Sequence, residues 1–305
     1  MDTKRAKKDN KLIIGYCYGL QYQKYLPIFS YSVLKCFNDV DLLILCTDTI
    51  KYNIKKKLPI NCNRVYIEEN YFPLKNYGYN DVETYISKSQ FYRLLRFLIP
   101  IKLVEGYSSL YIGDLDIYYL AQLNRSNTSL FVREEYIAKT NKLSFNNIIR
   151  KDTKGNITCR LGGLHYIRVN EYFHKFGELI SNIQNNRKAF IALINKARGN
   201  IDKDDYLRNE HLLFAMLIEN KKINEIEELL NKYPRELYGM HLGPLRNRQT
   251  EINSNYLFGK EINKKDQKLL LSDFLKFLIK NKLYDYMYNF EMFRLYYYML
   301  RLMIK

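Results

Sequence analysis

The sequence predicts an α/β fold in which helices cover both faces of a central sheet. Continuous apolar runs over residues 11–19 and 41–48 flank a helical segment, which is the strand–helix–strand opening of a nucleotide-binding sheet. A third apolar run ends at Gly113 and leads directly into two carboxylates, Asp114 and Asp116. With 305 residues, the chain is long enough to bury a large core in one such domain.

The remaining elements follow from local signals. The helix between the first two strands covers residues 25–35, and Pro27 lies in its first turn, where its missing N–H is tolerated. Residues 88–100 have apolar positions at helical spacing and end at Pro100. Four further elements are predicted: a loop over residues 70–80, strands over residues 130–132 and 164–169, and a helix over residues 208–218.

Composition narrows the class of protein and its partners. The formal net charge of +17 favours nucleic acid, anionic lipid head groups or phosphorylated small molecules, unless it reflects a compositional bias of the source genome. No zinc-finger, helix-turn-helix or RNA-binding aromatic motif accompanies this charge, so nucleic acid is disfavoured. The sequence has no visible transmembrane or secretory segment, and its five scattered cysteines indicate reduced thiols. We therefore expect a cytoplasmic protein.

The two aspartates give the strongest functional signal. Side chains alternate along an extended chain, so Asp114 and Asp116 point the same way while Leu115 points toward the core. Two carboxylates on one face repel each other unless a cation lies between them, and oxygen ligands suit Mn²⁺ or Mg²⁺. A solvated Asp-x-Asp turn is the alternative. The buried strand in front favours a metal at the carboxyl edge of an α/β sheet.

Aromatic and basic residues precede this pair in the chain. Tyr16 and Tyr18 follow the first strand, where either could stack on a base or pack on the sheet. Lys88, Arg93 and Arg96 lie on the helix that leads toward the aspartates. A guanidinium there could hold a diphosphate or brace an aspartate, and a solvated helical face is the competing interpretation.

Candidate residues also occur later in the chain. Gly162 and Gly163 stand before a strand, where their backbone can approach a ligand closely. His165 could meet a sugar hydroxyl or satisfy a core hydrogen bond. Glu210 lies near the start of a helix, from which it could project into a cleft. A glycine-rich loop then holds a histidine and two arginines, which could bind Mn²⁺ and neutralise phosphate: His241, Arg246 and Arg248.

Residues 259–305 differ in character from the rest. They contain ten Lys or Arg against five Asp or Glu, mixed with aromatic and aliphatic side chains. This mixture suits helices that lie on an anionic bilayer, whereas packing on the main domain is the alternative. We therefore divide the chain into a catalytic domain over residues 1–258 and a basic, aromatic-rich helical tail, and we expect a peripheral position on the inner face of the cytoplasmic membrane.

Together, these motifs resemble the metal-dependent, nucleotide-sugar glycosyltransferases called GT-A, most closely glycosyltransferase family 8 of bacterial lipopolysaccharide and capsule synthesis. The resemblance spans about residues 11–248 and includes the first strand, the residue 88–94 helix, the residue 111–116 motif, the paired glycines and the late histidine. It implies a Rossmann-like mixed central sheet with flanking helices, to which the helical tail over residues 259–305 is appended. It also implies transfer of a hexose from a UDP-sugar to a glycan or lipid-linked acceptor.

The resemblance also implies residue roles. It makes Asp114, Asp116 and His241 the Mn²⁺ ligands. It places Tyr16 or Tyr18 near the uracil and Arg93 near the donor phosphates. Where the family has an Asp-Gln pair, this chain has Asn209 and Glu210, which we expect at the catalytic centre: Glu210 acts as general base if configuration inverts, or stabilises the oxocarbenium-like centre if it is retained.

Two other classes of protein explain part of the pattern. A basic nucleic-acid-binding module would use the charge and the tyrosines, but it leaves the two aspartates without a role. A metal-dependent nucleotidyltransferase or phosphohydrolase would also use paired carboxylates. Further carboxylates beside the pair would favour this second class, and Glu134 and Glu135, the nearest downstream, lack a strand context.

Overall fold

The computed structural model describes residues 11–38, 40–119, 149–151, 154–155, 157–161, 165–199, 207–218, 239–246, 251–258, 262–287 and 289–304. Its strands are β1 (Lys11–Cys17), β2 (Val40–Cys46), β3 (Val65–Glu68), β4 (Ser109–Gly113), β5 (Ile117–Tyr119), β6 (Ile149–Lys151), β7 (Ile157–Leu161), β8 (His165–Arg168) and β9 (Gly239–His241). Its helices are α1 (Leu26–Cys36), α2 (Tyr52–Lys55), α3 (Lys88–Leu94), α4 (Val169–Asn185), α5 (Arg187–Arg198), α6 (Asn209–Ile218), α7 (Gly243–Arg246), α8 (Ser254–Phe258), α9 (Lys264–Lys280) and α10 (Asn289–Ile304).

Five strands form a mixed central sheet in the order β3-β2-β1-β4-β8. The first four run parallel, and β8 pairs antiparallel with β4. The predicted α/β class with a mixed central sheet and flanking helices is therefore confirmed, and the strands β1 and β2 coincide closely with the first two apolar runs.

The strand order reverses next to the aspartates. After β3 the chain crosses back, so that β4 pairs with β1 on the side opposite β2. In open α/β sheets, ligands bind outside the carboxyl ends of the strands at such a reversal of strand order. The residues that follow β1 and β4, including Tyr18 and Asp114, lie at this point.

Two cores lie on opposite faces of the sheet. Side chains of β1 alternate between them, with Leu12 and Ile14 in one core and Ile13 in the other. The first core also contains side chains from α3, α4, α5 and α6, and the second contains side chains from α1, α9 and α10. Because both faces are covered, the strands are apolar along nearly their whole length.

The predicted tail residues join the second core. From α9, Leu271 and Phe274 are fully buried, and Leu295 of α10 is fully buried beside them. The described tail thus packs on the main body, which was the alternative at the sequence level; the division at residue 258 stays a prediction. Among the described helices, none has the length and the apolar run that crossing a bilayer requires.

Some predicted boundaries differ from the structure. The apolar run around the aspartates forms two strands, because β5 leaves the central sheet after a turn at residues 114–116 and pairs antiparallel with β9. The helix predicted over residues 88–100 is α3 followed by one 3₁₀ turn, Leu95–Phe97. The strand predicted over residues 130–132 lies outside the described residues.

Candidate active site

Three predicted metal ligands meet at the carboxyl end of β4. Asp114, Asp116 and His241 each offer one ligand atom, and these atoms lie within 4.8 Å of one another. The Nε2 atom of His241 is 3.2 Å from Oδ1 of Asp116, although 125 residues separate the two in the chain. Two carboxylate oxygens and an imidazole nitrogen form a donor set that suits Mn²⁺.

Backbone pairing holds this cluster together. Asp114 follows the end of β4, and Asp116 precedes β5, whose first residue Ile117 pairs with His241 on β9. The backbone N–H of Leu242 donates to the carbonyl oxygen of Asp116 at 2.6 Å. His241 therefore lies at the end of a strand and not within the loop that the sequence predicted, because β5 provides a pairing partner that local composition does not reveal.

Arg246 adds a cation to the cluster. Its guanidinium forms a hydrogen-bonded ion pair with Oδ2 of Asp116. The same guanidinium lies over two aromatic rings, 5.1 Å from the centroid of Tyr22 and 5.2 Å from that of Tyr25, within the range of cation–π attraction. The position of Arg246 is therefore set by a carboxylate on one side and by aromatic faces on another.

The cluster is electrostatically coupled. Burial would raise the pKa of Asp116, but the hydrogen bond and charge of His241, with the charge of Arg246, outweigh burial and lower it. Burial would lower the pKa of His241, but the hydrogen bond and charge of Asp116, with the charge of Asp114, outweigh burial and raise it. Asp116 is therefore kept ionised and able to hold a cation.

A second arginine braces the other aspartate. Arg96 Nη1 donates to Oδ1 of Asp114 at 2.8 Å, and the Arg96 side chain is largely buried. The sequence suggested that a guanidinium on this helix would hold a diphosphate or brace an aspartate, and Arg96 is the residue that braces one. Arg93 and Lys88 are exposed on α3. Arg93 lies close enough to oppose the rise that burial causes in the pKa of Tyr18.

Gly243 leaves space against the cluster. A Cβ atom at this position would lie 2.9 Å from Oδ2 of Asp116, closer than real Cβ contacts, and 3.1 Å from Nε2 of His241, which is tighter than most of them. Only glycine therefore fits beside these ligand atoms without displacing them. The cradle that it leaves, together with the donor set, fits a divalent cation. The sequence shows a glycine in this loop but does not reveal its role, since the close approach depends on a contact between distant segments.

The two candidate tyrosines have different surroundings. Tyr16 is buried, its hydroxyl donates to the carbonyl oxygen of Tyr92, and its ring packs edge-on against Tyr71. Tyr18 is only half-buried, and its ring stacks on Tyr92 with a centroid distance of 5.4 Å and an interplanar angle of 8°. Tyr16 thus packs on the sheet, whereas the ring of Tyr18 is only partly covered.

The other predicted residues lie on α6, on β8 or outside the described residues. Asn209 and Glu210 occupy the first turn of α6, and both are half-buried. The backbone of His165 pairs with Ile112 on β4. Four predicted features lie outside the described residues: Gly162, Gly163, the side chain of His165, and Arg248.

Comparisons with known proteins give fold-level similarity only. No protein-family model and no curated protein matches this sequence. Among solved structures, the chain is similar to the galactosyltransferase LgtC in complex with donor and acceptor sugar analogues, with 12% identity, coverage of 73% of this chain and 84% of that chain, and a TM-score of 0.35. It is also similar to core-mannan synthase A from Aspergillus fumigatus in its Mn/GDP form, with 10% identity, coverage of 71% of each chain, and a TM-score of 0.40. A third is 4-diphosphocytidyl-2C-methyl-D-erythritol synthase from Anaerococcus prevotii, with 8% identity, coverage of 72% and 88%, and a TM-score of 0.33.

Proposed function

We propose that this protein is a metal-dependent glycosyltransferase that moves a hexose from a UDP-sugar to a glycan or lipid-linked acceptor in bacterial surface polysaccharide synthesis. One observation carries the proposal: Asp114, Asp116 and His241 converge beside Arg96 and Arg246 where the strand order reverses. Carboxylates and imidazole there suit a divalent cation, and guanidinium groups suit a diphosphate.

The surroundings of each residue suit a role in binding the metal ion or the donor. Asp114, Asp116 and His241 would hold Mn²⁺ or Mg²⁺, which when bound supplies positive charge to the leaving diphosphate. The guanidinium of Arg246 bonds Asp116, so it lies beside the ligand atoms and would also bind the diphosphate of the donor. Tyr18 offers a half-exposed ring beside Tyr92 for the uracil.

Glu210 is the proposed residue for the acceptor side, with Asn209 next to it. Both lie in the first turn of α6. The carboxylate of Glu210 would accept the acceptor proton in an inverting reaction, or would stabilise positive charge at the anomeric carbon in a retaining one.

The proposal is tested with purified protein, Mn²⁺ and a panel of UDP-sugars. A true donor should raise the unfolding temperature only when Mn²⁺ is present, and UDP should be released in the presence of acceptor. Asp116→Asn should lower UDP release by a factor on the order of 10² or more. Glu251→Gln is the matched control, because it makes the same loss of a carboxylate charge at an exposed residue that pairs with Arg301 and with none of the three ligand residues.

The products distinguish this activity from its rivals. A nucleotidyltransferase would release pyrophosphate and form a nucleotide adduct, whereas the proposed reaction releases a nucleoside diphosphate. A nucleic-acid-binding module would bind oligonucleotides without Mn²⁺, with an affinity that falls steeply as salt rises. Full UDP release by the Asp116→Asn protein would contradict the assignment of the site.

We also propose that the tail binds an anionic membrane through one face of α10. Large apolar side chains on this face are between 51% and 83% exposed and recur at helical spacing: Phe293, Tyr296, Tyr297, Leu300, Met303 and Ile304. Tyr296 lines the same cavity as Ile279 of α9, which the exposed Lys280 and Lys282 follow closely in the chain. Exposed apolar groups beside lysines match the chemistry of an acidic bilayer surface.

Vesicle sedimentation tests the membrane proposal. The full chain should pellet with vesicles rich in phosphatidylglycerol and much less with pure phosphatidylcholine. Replacement of Tyr297 and Leu300 by Ser should abolish pelleting, whereas Tyr52→Ser, which removes another exposed tyrosine, should not. If the face instead pairs two copies of the chain, sedimentation velocity will show a dimer that the double substitution dissociates. The protein will then not pellet with either kind of vesicle.

A further inference from the structure

The helix α10 reaches the candidate site through a buried carboxylate. Glu291 is 1% exposed and accepts hydrogen bonds from Nζ of Lys24 at 2.6 Å and from the hydroxyl of Tyr25 at 2.8 Å. The ring of Tyr25 in turn lies beneath the guanidinium of Arg246. A line of direct contacts therefore runs from α10 through Tyr25 and Arg246 to Asp116.

A second contact joins α10 to the segment that carries Arg246. Arg294 Nη1 donates to the carbonyl oxygen of Pro244 at 2.8 Å. Pro244 follows Gly243, the residue that leaves space against the ligand atoms, and lies in α7 with Arg246. A single helical turn of four residues has little stability of its own, so its position depends on what packs against it.

We propose that Glu291 and Arg294 are positioning residues, and that α10 holds α7 so that Gly243, His241 and Arg246 keep their places around Asp116. The consequence for metal binding rests on the proposed function, whereas the bracing of α7 does not. The tail then positions residues of the candidate site, in addition to offering a surface for a membrane.

The chemistry of these contacts favours positioning over simple stabilisation. A buried ion pair such as Lys24–Glu291 is often no more stabilising than a well-packed apolar pair, because both charges must leave water. An apolar pair, however, gives the hydroxyl of Tyr25 no acceptor. The hydrogen bond to Glu291 fixes the ring that supports Arg246, and hydrogen bonds are directional where apolar contacts are not.

Arg294→Gln tests the direct contact, with Arg301→Gln as its matched control. Both arginines lie on α10 seven residues apart, and Arg301 pairs with the exposed Glu251 at 2.9 Å. Glutamine is too short to reach Pro244. We expect Arg294→Gln to speed amide hydrogen exchange in residues 239–246 by about fivefold or more and to weaken Mn²⁺ binding, measured by electron paramagnetic resonance, by about tenfold. Arg301→Gln should change neither, and Arg294→Lys should restore part of both.

Paired double variants test the buried carboxylate. Lys24→Met with Glu291→Leu removes both charges and the acceptor for Tyr25, so it should speed the same exchange. Lys24→Met with Glu291→Gln keeps a side-chain carbonyl for Tyr25, so exchange should stay near that of the native chain. Neither variant leaves an unpaired buried charge, which limits the risk of unfolding.

The outcomes separate this inference from the proposed function. Exchange in residues 239–246 that is equal in Arg294→Gln and Arg301→Gln would overturn the inference, whatever the metal affinity. Faster exchange with unchanged Mn²⁺ affinity would also overturn the claim that bracing serves the site. If the native protein binds no Mn²⁺, the proposed function fails, and the exchange results still decide whether α10 braces α7.

Discussion

The guanidinium of Arg246 bonds the carboxylate of Asp116, which His241 contacts through its other oxygen at 3.2 Å. A divalent cation held by Asp116 would share that carboxylate with Arg246, and two cations on one carboxylate repel each other. A donor diphosphate would relieve this repulsion, because it offers Arg246 a second anion. Metal and donor should therefore favour each other's binding.

Arg246→Met tests the repulsion between the guanidinium and the metal ion. Removal of the guanidinium should tighten the binding of Mn²⁺ alone by about tenfold, or about 1.4 kcal/mol, because the competing charge is gone. The rate of UDP release should fall, since the leaving diphosphate loses a partner. Mn²⁺ titration and single-turnover assays measure the two effects. Arg187→Met is the control, because Arg187 forms a surface ion pair with Asp81. Weaker Mn²⁺ binding by the Arg246→Met protein would refute the repulsion between the guanidinium and the metal ion.

Gly243→Ala should damage the site by adding a single methyl group. The new Cβ would press on Oδ2 of Asp116 and Nε2 of His241, so the ligand atoms must move apart and Mn²⁺ affinity should fall by about tenfold. Calorimetric titration measures the change. Gly177→Ala is the control, because its Cβ would lie 3.7 Å from Phe173 within α4 and should stabilise the fold by about 0.5–1 kcal/mol. Unchanged Mn²⁺ affinity in Gly243→Ala would show that the cradle has no role.

Substitution of Tyr18 should lower UDP affinity, whereas substitution of Tyr16 should lower stability. Tyr18→Ala removes a half-exposed stacking surface and should weaken UDP binding by about 1–3 kcal/mol, with little loss of stability. Tyr16→Phe removes the hydrogen bond from the Tyr16 hydroxyl to the carbonyl oxygen of Tyr92, which still accepts from the backbone N–H of Leu95, and should cost about 0.5–1.5 kcal/mol of stability, with UDP affinity unchanged. Nucleotide titration and urea unfolding separate the effects, and the opposite pattern would assign the base to Tyr16.

The pH dependence of stability should report on the coupled pair in metal-free protein. The pKa of Asp116 is lowered, so its contribution is present above the unfolded value of about 3.9 and is lost as pH falls through the folded value. The pKa of His241 is raised, so its contribution is present below the unfolded value of about 6.5 and is lost as pH rises through the folded value.

Urea unfolding in the presence of a chelator measures this profile. The free energy of unfolding should decline as pH rises above about 6.5, and His241→Gln should remove that decline. Metal binding requires neutral imidazole, so Mn²⁺ affinity should increase over the same interval. An alkaline decline of equal size in the His241→Gln protein would place its origin elsewhere in the chain.

Local pattern was enough to predict the class of fold and to single out the two carboxylates of the candidate cluster. The apolar runs of β1 and β2 and the carboxylates after β4 are encoded by neighbouring residues, whose periodicity follows from backbone geometry. The bend at Leu115 could not be predicted in this way. It depends on β5 pairing with β9, a segment far along the chain.

The sequence alone determined that two aspartates follow a buried strand directly, with the apolar Leu115 between them, because an apolar run and the carboxylates after it are read from adjacent residues. Only the tertiary structure decided which cations meet them. Arg96 reaches Asp114 from the 3₁₀ turn after α3, and Arg246 reaches Asp116 from the short helix α7, which α10 contacts through Arg294. Such contacts depend on how helices pack across the two cores, and packing joins residues whose separation in sequence carries no local signal.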